Sequence, residues 1–289
     1  SAHNLAKRAL SFEFPWRIFG EQLKVFSPRL ECEVAGLSQR SPFGLTAGFD
    51  KDALALPGLS HLGFGSVTVG AILPKYRAGN PKPRLARCPA EAALVNCMGL
   101  PSKGLDYAVN NLQRYHAVRP VDGPPIIANV GGFSIDEILT TFRATEPYVD
   151  AVELDLTCPN VMMEGDLSKL EGIRSAMEQV VVERTKPVFT KLPLRTSEKD
   201  WRKAIEMSIA AAEAGLDGIT AAGNLRVQDQ RLSKSEASLT GRPCFENTLK
   251  VVRELRGAIG RRLAVRVSGG VSTGEDVYRL LQAGADAAN

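Results

Sequence analysis

The sequence lacks the cysteine pattern of a disulfide framework or a zinc site. Its five cysteines are odd in number and scattered, and no two have the CxxC spacing. Reduced thiols are therefore expected. No apolar run approaches the roughly 20 residues that span a bilayer. The N-terminus also lacks the apolar core and the cleavage site of a signal peptide. These absences predict a globular, cytoplasmic protein.

Residues suited to metal or histidine chemistry are also scarce. The three histidines (His3, His61 and His116) lie in the N-terminal tail or on predicted helices, and none follows a predicted strand. No HExxH motif or carboxylate–histidine cluster indicates a metal. The net charge of +4 is small and evenly spread, which argues against a nucleic-acid partner.

Short apolar segments alternate with amphipathic stretches after residue 43. Each segment is too apolar on both faces for a half-exposed antiparallel strand, which predicts burial in a parallel sheet. Helix patterns begin near Ser134, Ser197, Phe245 and Thr273. The seven predicted strands are 44–48, 66–71, 125–130, 151–157, 187–193, 218–223 and 263–270.

Strand–helix alternation of this kind predicts βαβ units and an α/β fold, here a (β/α)8 TIM barrel over residues 44–289. A doubly wound open sheet is the structural alternative, but no GxGxxG follows the first strand. Residues 284–289 resemble the approach to an eighth strand. We therefore expect that strand to be cut short and suspect that the native protein continues.

Residues 1–43 lie outside the barrel pattern, and we expect them to form an N-terminal helical extension. Apolar side chains such as Phe14 and Phe19 mix there with cations such as Lys7 and Arg17. One interpretation is a capping helix packed on the barrel bottom. The other is a helical pair that rests on a membrane surface and admits a lipidic molecule.

Polar residues follow several of the predicted strands, where barrel enzymes carry their active sites. Lys51 and Lys191 follow the first and fifth strands and suggest a ligand with negative charge. Residues 268–273 combine glycines with a helix start, a pattern typical of phosphate binding. Cys158 follows the fourth strand, either as a small core residue or as a thiol that acts as base or nucleophile.

Six ordered motifs resemble the signatures of dihydroorotate dehydrogenases and span roughly residues 44–289. They are Ala47-Gly48-Phe49-Asp50-Lys51-Asp52, Gly79-Asn80-Pro81-Lys82-Pro83-Arg84-Leu85, Asn96-Cys97-Met98-Gly99-Leu100, Thr157-Cys158-Pro159-Asn160, Leu239-Thr240-Gly241-Arg242-Pro243 and Gly269-Gly270-Val271. His3-Asn4-Leu5-Ala6 also resembles the N-terminal extension of the membrane-associated, quinone-using branch.

The resemblance implies FMN as cofactor and dihydroorotate as substrate. Cys158 stands where the family places its catalytic base, a serine in the quinone branch and a cysteine in the soluble branch. That base would remove a proton from C5 while a hydride passes from C6 to flavin N5, and Lys191 would stabilise the reduced flavin. The FMN-binding residues would be Ala47, Gly48, Lys51, Asn129, Asp155, Lys191, Gly241, Gly269 and Gly270. The substrate-binding residues would be Lys51, Asn96, Met98, Gly99, Leu100, Asn160 and Asn224.

Three departures from the family pattern affect the expected site. Asp155 replaces an asparagine, Ala71 a threonine or serine, and Ala222-Gly223 a threonine-asparagine pair. Hydrogen-bonding sites discriminate strongly between substrates, so the substrate could differ. Three hypotheses stay open: dihydroorotate oxidation in pyrimidine biosynthesis, FMN-dependent oxidation of another ring such as a dihydropyrimidine, and an inactive barrel with a binding role. For an active enzyme, a quinone acceptor and peripheral contact with the inner face of a membrane through residues 1–43 are expected.

Overall fold

A seven-stranded parallel sheet forms the centre of the protein, whose computed structural model describes residues 2–25, 27–157 and 165–289. The sheet order is β13-β12-β9-β8-β7-β6-β3. Its strands are β3 (Val67–Ile72), β6 (Ile126–Gly131), β7 (Ala151–Asp155), β8 (Val188–Lys191), β9 (Gly218–Ala222), β12 (Ala264–Ser268) and β13 (Ala287–Ala288). Every residue of β3, β6 and β7 is buried, as the doubly apolar sequence pattern predicts.

Residues 43–45 join the two edges of this sheet. Phe43 makes a parallel bridge to Ala288, and Leu45 makes one to Val67. The Gly44 N–H donates to the Ala288 carbonyl at 2.9 Å, and the Leu45 N–H donates to the Ser66 carbonyl at 2.8 Å. The ring is thus closed, which confirms the predicted barrel. The expected short eighth strand is present as β13, and its two residues are enough to close the sheet.

Helices cover the outside of the barrel. The predicted helix starts are confirmed at Ser134, Ser197 and Thr273, because each hydroxyl accepts a backbone N–H of the first helical turn. The predicted start near Phe245 is also confirmed. The helices that follow strands are α3 (Leu56–Leu59), α4 (Leu105–Val118), α5 (Ile135–Thr145), α6 (Leu170–Glu183), α7 (Glu198–Ala214), α8 (Phe245–Ile259) and α9 (Gly274–Ala283).

The N-terminal extension contains two helices, α1 (Ala2–Leu10) and α2 (Glu13–Phe19), and a hairpin that its sequence pattern does not predict. The hairpin strands are β1 (Cys32–Val34) and β2 (Leu37–Gln39). Val34 and Leu37 form a cluster with apolar residues from the first half of several barrel strands. The bottom of the barrel is therefore covered by this hairpin.

The two N-terminal helices lie along α3. The ring of His3 contacts the ring of Phe49 with centroids 5.1 Å apart, so the start of α1 reaches the carboxyl end of the first barrel segment. No residue of α2 is buried. Apolar side chains exposed in this region are Leu5, Phe12, Phe14, Ile18, Phe19, Leu23 and Val25. Within the described ranges, no helix is long and apolar enough to cross a membrane.

A second, antiparallel sheet lies where the chain leaves β3 and β9. Its strands are β4 (Leu85–Cys88), β5 (Ala93–Asn96), β10 (Leu225–Gln228) and β11 (Glu236–Gly241), in the order β10-β11-β5-β4. The pairing sets Asn96 opposite Ser238 and Gly241 opposite Ala93. Two distant predicted motifs therefore share one sheet above the carboxyl ends of the barrel strands.

Candidate active site at the barrel mouth

Asp155 and Lys191 end the neighbouring strands β7 and β8 and form an ion pair. The Lys191 Nζ lies 3.0 Å from the Asp155 Oδ2. The Asp155 side chain is 1% exposed and that of Lys191 is 29% exposed. The second carboxylate oxygen of Asp155 is buried and has no hydrogen-bond partner in the described part of the chain. Asp155 is therefore turned toward a cation and keeps one acceptor available.

Asn129 lies on β6, beside β7, and is fully buried. Its side-chain Nδ2 donates to the Glu153 Oε1 at 2.7 Å. Its Oδ1 has no partner among the described residues. The predicted cofactor residues Asn129, Asp155 and Lys191 thus come from three consecutive strands of the barrel.

The loop after the first barrel segment carries Gly48 and Lys51. Gly48 has a φ of +116°, and among the described residues none but its chain neighbours comes within 4 Å of the position a Cβ would take. This backbone conformation favours glycine, and the open space admits a ligand. The loop is fixed by the buried carboxylate of Asp50, which accepts the N–H groups of Leu54 and Ala55 at 3.1 and 2.7 Å. Burial raises the pKa of Asp50, although these hydrogen bonds oppose the shift.

Gly241 and Gly270 meet at the start of α8. A Cβ on Gly270 would lie 3.0 Å from the Gly241 carbonyl oxygen and 2.5 Å from the Phe245 nitrogen. Gly270 also has a φ of +80°, so both its conformation and its surroundings require glycine. The structure therefore brings together two glycines that the sequence predicts for cofactor binding.

The start of α9, predicted to contribute to a phosphate site, already holds a carboxylate. Asp276 Oδ2 accepts the N–H groups of Ser272 and Thr273, each at 3.0 Å, and receives Arg242 Nη1 at 2.6 Å. Burial alone would raise the pKa of Asp276, but these hydrogen bonds outweigh it and lower the pKa to about 2. A phosphate at this helix start would compete with a charged Asp276. The backbone of Gly269 and Gly270, which precede this helix, remains the predicted contact for the phosphate.

The predicted substrate loop from Asn96 to Leu100 is held by Asn80. The Asn80 Nδ2 donates to the Cys97 carbonyl at 2.9 Å, and the Asn80 N–H donates to the Met98 carbonyl at 3.0 Å. Asn80 belongs to a motif of the sequence resemblance, yet the predicted site omits it. Its position inside that motif is the only sequence signal for this supporting role.

Gly223, where an asparagine was expected, packs against Thr248. A Cβ at this position would lie 2.0 Å from the Thr248 Oγ1 and 2.5 Å from the Thr248 nitrogen. The threonine hydroxyl donates to the carbonyl of Gly269 at 2.7 Å. Asn224 lies nearby, because its Oδ1 is 3.3 Å from the position of a Cβ on Gly269. Thr248 therefore fills the space that an asparagine side chain would need.

We expect Gly223→Asn to lower the free energy of unfolding by about 1–3 kcal/mol, the usual cost of overpacking a core. Adding Thr248→Ala should recover only part of this loss, because the backbone of residue 248 is also close. Gly257→Asn is the matched control, since outside its own stretch of helix no described residue comes within 4 Å of its Cβ position. Urea denaturation measures all three variants. Equal effects at residues 223 and 257 would show that Thr248 does not fill the site.

Two predicted site residues, Cys158 and Asn160, lie outside the described residues. The preceding Thr157 donates its hydroxyl to the carbonyl of Lys191 at 3.3 Å. The chain therefore enters the segment of Cys158 beside the Asp155–Lys191 pair.

Comparison with known proteins identifies the family. Residues 29–289 match the family model described as dihydroorotate dehydrogenase. The chain belongs to the dihydroorotate dehydrogenase family. Dihydroorotate dehydrogenase (quinone) of Rhodococcus opacus is 32% identical over 283 residues, which cover 93% of this chain and 77% of the relative. The corresponding protein of Dichelobacter nodosus is 29% identical over 309 residues, covering 99% of this chain and 87% of the relative.

Solved structures agree with this assignment. The ligand-free dihydroorotate dehydrogenase of Eimeria tenella aligns with a TM-score of 0.86 and 26% identity, covering 100% of this chain and 87% of that one. As a member of the dihydroorotate dehydrogenase family, the chain is an oxidoreductase of a flavin-dependent family. The predicted fold and the resemblance are confirmed, whereas the individual site residues stay predictions.

Proposed function

We propose that this protein oxidises dihydroorotate to orotate with FMN as cofactor. The observation that carries the proposal is the convergence of Asn129, Asp155 and Lys191 at adjacent strands of the barrel. The chain also belongs to the dihydroorotate dehydrogenase family. This combination supports a redox site at the barrel mouth.

The residues present fit a flavin. Asn129 Oδ1 and Asp155 Oδ1 are buried acceptors without partners in the described ranges, and each would gain from a ligand that donates hydrogen bonds. Apart from its chain neighbours, no described residue comes within 4 Å of the Cβ position of Gly48. FMN would thus be held by Gly48, Asn129 and Lys191, with the glycines Gly241 and Gly270 beside its phosphate.

The reaction removes two hydrogens from neighbouring carbons. FMN supplies the hydride acceptor when it is bound. The Cys158 thiolate takes the proton from C5, so a new S–H bond forms. With such an acceptor bound, the C6–H bond would break with its electron pair, and a double bond would form between C5 and C6. The Lys191 ammonium offsets the negative charge that accumulates beside it.

Asp155 modifies this arrangement because its charge pairs with Lys191. Lys51 is then the cation proposed to meet the carboxylate of dihydroorotate. A second candidate function follows from the same residue. If Asp155 turns to the ligand, its carboxylate favours a neutral ring that donates hydrogen bonds, such as a dihydropyrimidine.

The electron acceptor is proposed to be a quinone. Both relatives described above are named as quinone enzymes. The exposed apolar side chains of α1 and α2 offer a surface suited to peripheral contact with a membrane. Quinones partition into lipid, so such contact would bring the acceptor close to the start of α1.

The test is a steady-state assay with dihydroorotate and a soluble quinone, comparing the parent with Asp155→Asn. We expect kcat/KM for dihydroorotate to fall by about tenfold, the order of one hydrogen bond to a charged group. An asparagine side chain keeps one oxygen that accepts hydrogen bonds, but it lacks the negative charge that pairs with Lys191. Glu183→Gln is the control, because it breaks only an exposed ion pair with Arg143.

The opposite result would support the second candidate function. A tenfold gain with Asp155→Asn would show that the carboxylate repels dihydroorotate and that the natural substrate is a different ring. Absence of turnover by the parent with either dihydroorotate or a neutral dihydropyrimidine would contradict both functions.

A further inference from the structure

A buried ionic network crosses the interior of the barrel. Arg266 on β12 places Nη1 3.1 Å from the Glu153 Oε2 on β7 and donates Nη2 to the Thr68 hydroxyl on β3 at 2.8 Å. The side chains of Arg266 and Glu153 are 1% and 2% exposed. A buried ion pair is often no more stable than apolar residues of the same size. Stability alone therefore does not account for this pair.

The other oxygen of Glu153 fixes the orientation of Asn129. An asparagine amide has a donor end and an acceptor end, which can exchange places by rotation. A carboxylate only accepts, so the Nδ2 of Asn129 faces the Glu153 Oε1 at 2.7 Å. The Oδ1 must then point away from the network. A neutral residue at position 153 would leave this choice open.

The Oδ1 of Asn129 is buried, and no described residue donates to it. Leaving such an acceptor unpaired is unfavourable, because the hydrogen bonds it makes to water in the unfolded chain are not replaced. Asn129 pairs in register with Glu153 on β7, the strand that ends at Asp155. The unpaired oxygen therefore belongs to the region proposed for the flavin, a ligand with N–H and O–H donors.

We propose that Glu153, held by Arg266, is a positioning residue that presents Asn129 to the flavin as a hydrogen-bond acceptor. This inference rests on the proposed FMN site. Glu153 acts through Asn129 and does not itself touch the ligand. The network thereby couples the packed interior of the barrel to cofactor affinity.

The test measures FMN dissociation constants of apoprotein by quenching of flavin fluorescence. Four proteins form a cycle: the parent, Glu153→Val with Arg266→Met, Asn129→Ala, and all three changes together. We expect the paired change to weaken FMN binding by about tenfold, the worth of one well-oriented hydrogen bond. Asn129→Ala should weaken it at least as much. In the Asn129→Ala background the paired change should have no further effect.

This absence of a further effect separates positioning from a structural role. A structural role would weaken binding equally with and without Asn129, and that additive result would overturn the proposal. Unchanged FMN affinity in the paired variant would overturn it too. If the parent itself binds no FMN, the proposed function fails. If the parent binds FMN and the paired variant binds it with the same affinity, only the positioning role of Glu153 fails.

Glu153→Gln offers a second approach if the paired variant does not fold. The glutamine keeps the size of the side chain, but its amide can donate to Asn129 and so allow either orientation. We expect FMN binding to weaken by about three- to tenfold, with loss of the effect when Asn129 is alanine. Parent-like affinity would contradict the proposed orientation.

Discussion

Arg266→Met is expected to lower the free energy of unfolding by about 3–5 kcal/mol, the usual cost of removing one partner of a buried ion pair. Glu153 would then lie in the barrel interior without its cationic partner and with only the Asn129 amide donating to it. Thr68 would lose the guanidinium donor to its hydroxyl. Burial lowers the pKa of Arg266, and the carboxylate of Glu153 opposes that shift.

The control is the paired replacement of Glu153→Val with Arg266→Met. Replacing a whole buried ion pair with apolar residues is often neutral or stabilising, so most of the loss should be recovered. Arg143→Met serves as a surface control, because the Arg143–Glu183 pair is exposed and its attraction is screened by water and salt. Urea denaturation compares the proteins. A cost at residue 266 no larger than at residue 143 would contradict a charged buried pair.

The barrel could be predicted from sequence because its signals are local. The central strands are mostly apolar on both faces, and three predicted helix starts carry a capping hydroxyl. The closure of the ring depends instead on Phe43 and Leu45, which form single bridges to Ala288 and Val67. Neither bridge produces a periodic pattern, so periodicity could not reveal it.

The two smaller sheets were missed for a related reason. Strands β1 and β2 have three residues each, too few for an alternating pattern to emerge. In the four-stranded sheet, β5 pairs with β11 across more than a hundred residues of chain. Such non-local pairing is decided by tertiary packing. In the sequence, the charged residues Glu153 and Arg266 inside predicted buried strands indicate that each has a polar partner. The sequence does not indicate that they pair with each other.

The sequence indicated which strand ends carry the candidate site residues, but not which partners their side chains have. Strand ends indicated Asn129, Asp155 and Lys191, because parallel strands of a barrel direct their carboxyl ends to one face. Whether Asp155 faces a ligand or a cation depends on the placement of the neighbouring strand. The structure pairs it with Lys191. Likewise, the glycine at position 223 is explained by Thr248, which no sequence motif connects to it.

Replacing Cys158 with alanine is expected to give the largest effect on activity. If Cys158 is the base, its loss should slow reduction of the flavin by dihydroorotate by about 10²–10⁴, the usual contribution of general base catalysis. FMN affinity should persist, because the cofactor contacts proposed above come from other residues, among them Gly48, Asn129 and Lys191. Cys32→Ala is the matched control, since Cys32 lies in the hairpin at the opposite end of the barrel.

Stopped-flow absorbance separates flavin reduction from reoxidation, and the pH profile identifies the base. The reductive rate of the parent should rise with pH as the thiol deprotonates. Cys158→Ser should retain part of the activity with its profile displaced to higher pH, because a hydroxyl is less acidic than a thiol. A Cys158→Ala variant that reduces its flavin as fast as the parent would exclude this cysteine as the base. If the serine variant instead kept the pH profile of the parent, the titrating group would lie elsewhere in the site.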